Sequence, residues 1–278
     1  MAMDEIELKN ENDSEKIIMA SEATHENVAS KFSASAVLIR SFLVLFKHPF
    51  VFLGLTILSL IPGFIVIAWM WNIPVVVIVA LDVVCGLMIQ GAVGYGVFEV
   101  LRGNAARFGK ILYRGMARFI PLFLSVLLAA LLYSFFLFLT VHLLYMFEIR
   151  LRRWDAYILA LSVLLSGWCV FASACVVERL TPLDSLHRSL SLTEGCRLKI
   201  ASLYLPCLFA TRILHTIAIR YVGVNYSLLT PLFGPAFAFY CVWVIRLLSL
   251  AVPLTFTFVM TGVIYYSLRE VKEGVGGT

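Results

Sequence analysis

Asp82, Arg212 and His215 are ionisable side chains that stand inside apolar stretches of this chain. A charge in hydrocarbon is costly, so it pairs with another group or serves a function. Asp82 lies eight residues after Pro74, and Arg212 lies eight residues before Arg220. At a helical rise of about 1.5 Å per residue, both sit about 12 Å below the same membrane surface. Opposite charges at one depth can form a structural ion pair. They can also gate a path or hold a charged solute. His215 follows Arg212 by three positions and shares its helical face. It suits a proton relay or, more simply, a hydrogen bond to a neighbouring helix.

A second set of charges is periodic. Leu38-Ile39-Arg40-Ser41, Leu112-Tyr113-Arg114-Gly115 and Leu186-His187-Arg188-Ser189 are the three occurrences of Leu-x-Arg-(Ser/Gly), and their arginines are spaced by 74 residues each time. A fixed period marks a repeated structural unit. Arg40, Arg114 and Arg188 are expected at headgroup depth on the cytoplasmic side. There they contact lipid phosphate or add to the general positive charge of that face.

The elements that must carry these residues follow from apolar run length. A spanning helix needs about 20 apolar residues. Phe50–Trp71, Pro74–Phe98, Pro121–Phe147, Ala156–Val177 and Ile200–Ile219 qualify, and a sixth span, Leu247–Ser267, lies within Pro235–Leu268. Residues 235–246 are then a separate outer-leaflet or re-entrant piece, with a bend near Pro253. Each pair of spans is preceded by a basic amphipathic segment: Ser35–His48, Phe108–Phe119 and Thr181–Thr193. The third begins Thr-Pro-Leu-Asp, which supplies an N-cap, a proline at N1 and an acid in the first turn, and Gly195 suits a left-handed stop. Gly86, Gly91, Gly94 and Gly96, with Gln90 among them, make the second span a packing helix or one side of a polar path beside Asp82.

Composition agrees with a membrane protein. The chain is 61% hydrophobic and 14% charged, against roughly 45–50% and about 25% in soluble domains. Its charge is split. Residues 1–30 hold eight acids and two lysines, whereas residues 31–278 hold twenty basic residues and nine acids. Residues 1–30 are expected to form an acidic, disordered cytoplasmic tail, since they lack the apolar core of a signal peptide. The membrane domain is expected over 31–278. With the N-terminus inside, sixteen of the 22 basic residues face the cytoplasm and four face out, with Arg212 and Arg246 in apolar runs. Anionic lipid is therefore the expected partner, alongside a possible partner protein, and nucleic acid is not.

The six cysteines form no C-x-x-C pair, and no metal site, cofactor or catalytic residue is expected. H-E-x-x-H, G-x-S-x-G, Walker and G-x-G-x-x-G patterns are all missing, so the chain does not read as an enzyme.

Glu178-Arg179, Leu186-His187-Arg188-Ser189, Leu192-Thr193-Glu194-Gly195, Tyr265-Tyr266-Ser267-Leu268-Arg269 and Lys272-Glu273-Gly274 together resemble a group of bacterial six-span families. These are the YciC-like inner-membrane proteins and the membrane domain of some glycerophosphodiester phosphodiesterases. The resemblance covers roughly residues 36–275. Ser267 stands where such families often place an acid, and the soluble phosphodiesterase domain has no counterpart. The resemblance implies a fold and a bacterial inner-membrane location more than an activity.

The expected architecture is all-α: six transmembrane helices in three hairpins, each preceded by an interfacial helix, with a pseudo-threefold repeat and both termini cytoplasmic. The expected function is transport- or permease-related, for a small or lipid-like solute. The alternative is a non-transporting module that organises lipids or a partner protein.

Overall fold

The computed structural model describes residues 32–69, 75–146, 167 and 169–274. Helices are the regular secondary structure of the described residues, which contain no strand. The elements are α1 (Ala34–Lys47), α2 (Pro49–Trp69), α3 (Val75–Leu101), α4 (Phe108–Met116), α5 (Phe119–Met146), α6 (Phe171–Val177), α7 (Pro182–Thr193), α8 (Arg197–Phe233) and α9 (Pro235–Glu273).

The three amphipathic segments form the short helices α1, α4 and α7, and local chemistry explains their ends. Ser33 caps α1 by accepting from the Ala36 N–H. Pro49 keeps His48 out of helical geometry, at φ −138° and ψ 54°, so α1 stops there. Proline then serves as the first residue of α2, where its missing N–H costs nothing. The axis turns by 92° between α1 and α2, and by 62° between α4 and α5. Thr181 caps α7 through the Asp184 N–H, with Pro182 at the first position, as its sequence requires. Gly195 follows α7 at φ +81°.

Three helical stretches are long and apolar enough to cross a membrane: Val84–Leu101, Arg197–Ala218 and Leu247–Glu273. The count among the described residues rises to five if each bent pair is one span. Most of the expected fourth span falls outside the described residues, which take in its end as α6. The region after Ile219 differs from expectation. Instead of a loop, α8 continues to Phe233, reverses at Gly234 (φ +82°), and α9 runs unbroken from Pro235 to Glu273. The expected separate piece at 235–246 is therefore part of α9, and Pro253 lies within that helix. In an apolar medium a continuous helix keeps its backbone groups bonded, so one missing proline donor is tolerated more readily than a loop. At 37 and 39 residues, these helices run about 55 Å, well beyond a hydrocarbon core of about 30 Å.

The core is built around α3 and α9. Residues 91–98 of α3 and 258–268 of α9 are buried on every side, as expected of helices that are apolar all round. α3 packs against α1, α2, α4, α5, α6 and α9, and α9 also touches α1, α2, α6, α7 and α8. Glycines allow these approaches. A Cβ on Gly94 would lie 2.1 Å from the Ser173 Oγ of α6, and one on Gly262 would lie 3.2 Å from the Gly94 Cα. A Cβ on Gly91 would meet Val176 at 2.9 Å, and one on Gly96 would meet Ile111 at 2.8 Å. Gln90 donates to the Cys169 carbonyl at 3.5 Å. These groups on α3 are thus occupied by close packing against α4, α6 and α9.

Candidate functional site

The repeated arginines all fall on the short helices, in one register. The residue three before each arginine is buried (Val37, Ile111, Ser185), and so is the small residue after it (Ser41, Gly115, Ser189). These two positions are four apart and face the core together, which leaves the arginine toward the rim. The small residue is needed at the contact. Ser41 donates to the Val37 carbonyl at 2.7 Å and Ser189 to the Gly167 carbonyl at 2.9 Å. A Cβ on Gly115 would lie 2.6 Å from that of Ala92.

The partners of the three arginines differ. The Arg40 Nη1 donates to Glu270 Oε2 at 2.8 Å. The Arg188 Nε donates to Glu178 at 3.0 Å, and its Nη2 pairs with Glu273. Burial alone would lower the Arg188 pKa, but the hydrogen bonds to Glu273 and Glu178 outweigh it and hold the guanidinium above its ordinary value. Arg114 has no carboxylate partner among the described residues. Its guanidinium lies 5.8 Å from the centre of the Tyr95 ring, close to the limit of a cation–π contact.

Glu178, Tyr265, Arg269 and Glu273, which the sequence shows only as parts of short motifs, come together in the structure. Among the described residues they form a connected polar group. Glu178 also accepts from the Tyr265 hydroxyl at 2.7 Å, and Arg269 bridges Glu273 at 2.9 Å and Glu178 at 3.7 Å. Lys272 reaches the Ser191 carbonyl at 2.5 Å, which ties α9 to α7. The available signal was spacing: Tyr265, Arg269 and Glu273 are four apart on the core-facing α9 and so share one face.

The ion pairs follow chain order. Glu99, near the end of α3, binds Lys110 of α4 at 3.2 Å. Glu178, after α6, binds Arg188 of α7. Glu270, near the end of α9, returns to Arg40 of α1. Each acid at the end of an apolar stretch thus binds the next short helix, and the last closes onto the first.

One polar cavity opens beside Arg114. Its wall is Tyr113, Arg114, Ala117, Arg118, Val176 and Arg179, and its volume is ≈ 300 Å³. No ion pair engages Arg118 or Arg179 among the described residues. Arg179 adopts φ +57°, the one positive φ outside glycine among them. Glycine occupies the comparable stops after α3 and α9, at Gly103 and Gly274. Holding arginine there costs on the order of 1–3 kcal/mol, and such strain concentrates where function requires it.

Compared with known proteins, the chain matches no family model, no curated protein and no solved structure.

The intramembrane set is only partly within view. The Asp82 and Arg246 side chains lie outside the described residues, so the expected Asp82–Arg212 contact does too. Arg212 is exposed on α8 and its carbonyl accepts from Thr216 at 2.8 Å. His215 is half-buried one turn later. His142 stacks on Phe138, with ring centres 6.1 Å apart. Among the described residues no cluster of His, Cys, Asp or Glu could hold a metal ion.

Proposed function

We propose that this chain is a multi-pass protein of the bacterial inner membrane that organises anionic lipid through its basic end, with that end and both termini in the cytoplasm. The reading includes six spans as three hairpins in a cyclic pseudo-threefold arrangement, and kinship with the YciC-like group. Supporting the repeat are the shared register of Arg40, Arg114 and Arg188 and the ion pairs that close from Glu270 to Arg40.

The observation that carries the lipid reading is the 92° turn at His48. It lays a basic amphipathic helix across the start of an apolar one. α1 buries Val37 and Val44, while Ile39, Leu43 and Phe46 are exposed beside Lys47. An amphipathic helix with an uncovered apolar flank and basic residues suits the interface of an anionic leaflet.

Two measurements test this. Reporters fused after Gly103, Thr193 and Gly274 should read cytoplasmic, and those after Trp71, Arg153 and Asn225 should read external. A cytoplasmic signal at Arg153 would break the six-span arrangement. Full-length protein in nanodiscs should melt several degrees higher with phosphatidylglycerol than with phosphatidylcholine alone, and the difference should shrink in high salt. Equal melting in both lipids would refute the lipid reading.

The transport reading draws on Asp82, Arg212 and His215. It requires that Asp82→Asn with Arg212→Gln fold normally yet lose solute flux in proteoliposomes. Flux retained in that double variant would remove these charges from any pathway.

A further inference from the structure

We propose that the cavity between α4, the start of α5 and the end of α6 binds a phosphomonoester, with Arg114, Arg118 and Arg179 as its ligands. The proposal deepens the lipid reading above and rests on it only for the source of the phosphate.

The three arginines come from separate places. Arg114 is on α4, Arg118 immediately precedes α5, and Arg179 follows α6. All three residues line one cavity with Tyr113, Ala117 and Val176, and among the described residues no acidic one shares that wall. At the other two repeat positions the arginine is neutralised by carboxylate: Arg40 by Glu270, and Arg188 by Glu178 and Glu273. In the middle unit the ion pair moves one turn earlier, to Lys110 with Glu99. That leaves Arg114 available and adds two more cations beside it.

Arg179 gives independent support. Its backbone takes the left-handed conformation that glycine supplies after α3 and α9. A chain selected only for a clean helix stop would carry glycine here as well. Keeping arginine adds a third basic residue to the cavity wall. The helix dipole of α5 adds to the positive field, because its N-terminus begins at Phe119, next to Arg118.

The charge count selects the ligand. A phosphomonoester carries up to two negative charges and three terminal oxygens, and arginine meets such oxygens with paired hydrogen bonds. A phosphodiester offers one charge and two terminal oxygens. The ≈ 300 Å³ cavity far exceeds the ~10–15 Å³ of comparable space that holds one water, enough for the phosphate with its nearest ester atoms. Tyr113, at the rim and 72% exposed, suits the headgroup boundary where aromatic residues collect.

The test uses full-length protein in detergent. Phosphatidic acid, phosphatidylglycerol and phosphatidylcholine are titrated with native mass spectrometry, and inorganic phosphate with calorimetry. Phosphatidic acid should bind about tenfold more tightly than phosphatidylglycerol. Arg179→Gly should cut that affinity about tenfold without lowering the melting temperature, since glycine relieves the backbone. Arg118→Gln should cut it similarly. Arg107→Gln, which removes an equal charge from the exposed start of α4, should change it by less than about twofold.

Binding of inorganic phosphate alone, lost in Arg179→Gly, keeps the phosphate site and removes the lipid as its source. An equal loss in Arg107→Gln and Arg179→Gly overturns the site but leaves a general preference for anionic lipid standing. Wild-type protein that binds every one of these probes equally, or none, overturns both readings.

Discussion

Gly94→Val eliminates the monodisperse folded species. Gly94 sits where α3, α6 and α9 meet. A Cβ there would lie 2.1 Å from the Ser173 Oγ, 2.8 Å from its Cβ and 3.2 Å from its Cα. On the other side, a Cβ on Gly262 would already crowd the Gly94 Cα. Extra methylenes in a packed core cost about 1–3 kcal/mol where side chains can shift. Here backbone and Cβ atoms stand in the way, so valine should exceed that range. Size-exclusion chromatography of detergent-solubilised protein reads the outcome. Gly109→Ala is the control, since nothing lies within 4 Å of its Cβ position. Ser173→Gly should partly rescue Gly94→Ala, because it removes the nearest obstructing atoms. A wild-type elution profile for Gly94→Val would refute the three-helix contact.

Glu178→Gln lowers the melting temperature by several degrees. The Glu178 carboxylate is 16% exposed and faces Arg188, Arg269 and the Tyr265 hydroxyl. Breaking a buried pair by removing one partner costs about 3–5 kcal/mol. The Arg188 side chain retains 29% exposure, so solvent reduces this to about 2 kcal/mol. That corresponds to roughly 4–8 °C for a chain of this size. A double-mutant cycle with Arg188→Met should show coupling. Lys110→Met, at a pair whose lysine is 51% exposed, should stay within about 0.5 kcal/mol of wild type. Equal effects at Glu178 and Lys110 would mean that the carboxylate group contributes no more than a surface pair.

These two predictions separate kinds of information. The glycines of α3 were visible in the sequence as small residues suited to helix contact. Their partners Ser173, Val176 and Ile111 were not. The 74-residue spacing placed Arg40, Arg114 and Arg188 on three short helices and made them look alike. Their surroundings then differ: two are held by carboxylates, and the third lies beside Arg118 and Arg179 over a cavity. Glu178, Arg269 and Glu273 were visible only as parts of short motifs, with nothing to say that they converge. The loop expected after Ile219 turned out helical because a polar Arg220 and Asn225 interrupt an apolar run without ending a helix, whereas Gly234 does end it.

What the sequence determined by itself was decided by neighbours along the chain. Apolar run length marks a membrane protein, Pro49 ends α1 at His48, Thr181 with Pro182 and Asp184 starts α7, and Gly195 stops it. Capping, proline geometry and left-handed turns act over four or five residues and are therefore written locally. Only the tertiary structure decided which charges meet. Arg40 and Glu270 are 230 positions apart, and Arg188 and Glu273 are 85. The energy of a charge depends on its distance in space from its partners and on how much water remains around it. A repeat in sequence carries neither quantity. The packing of α3 and α9 sets both, leaving Arg40 and Arg188 neutralised and Arg114 with two further cations beside it.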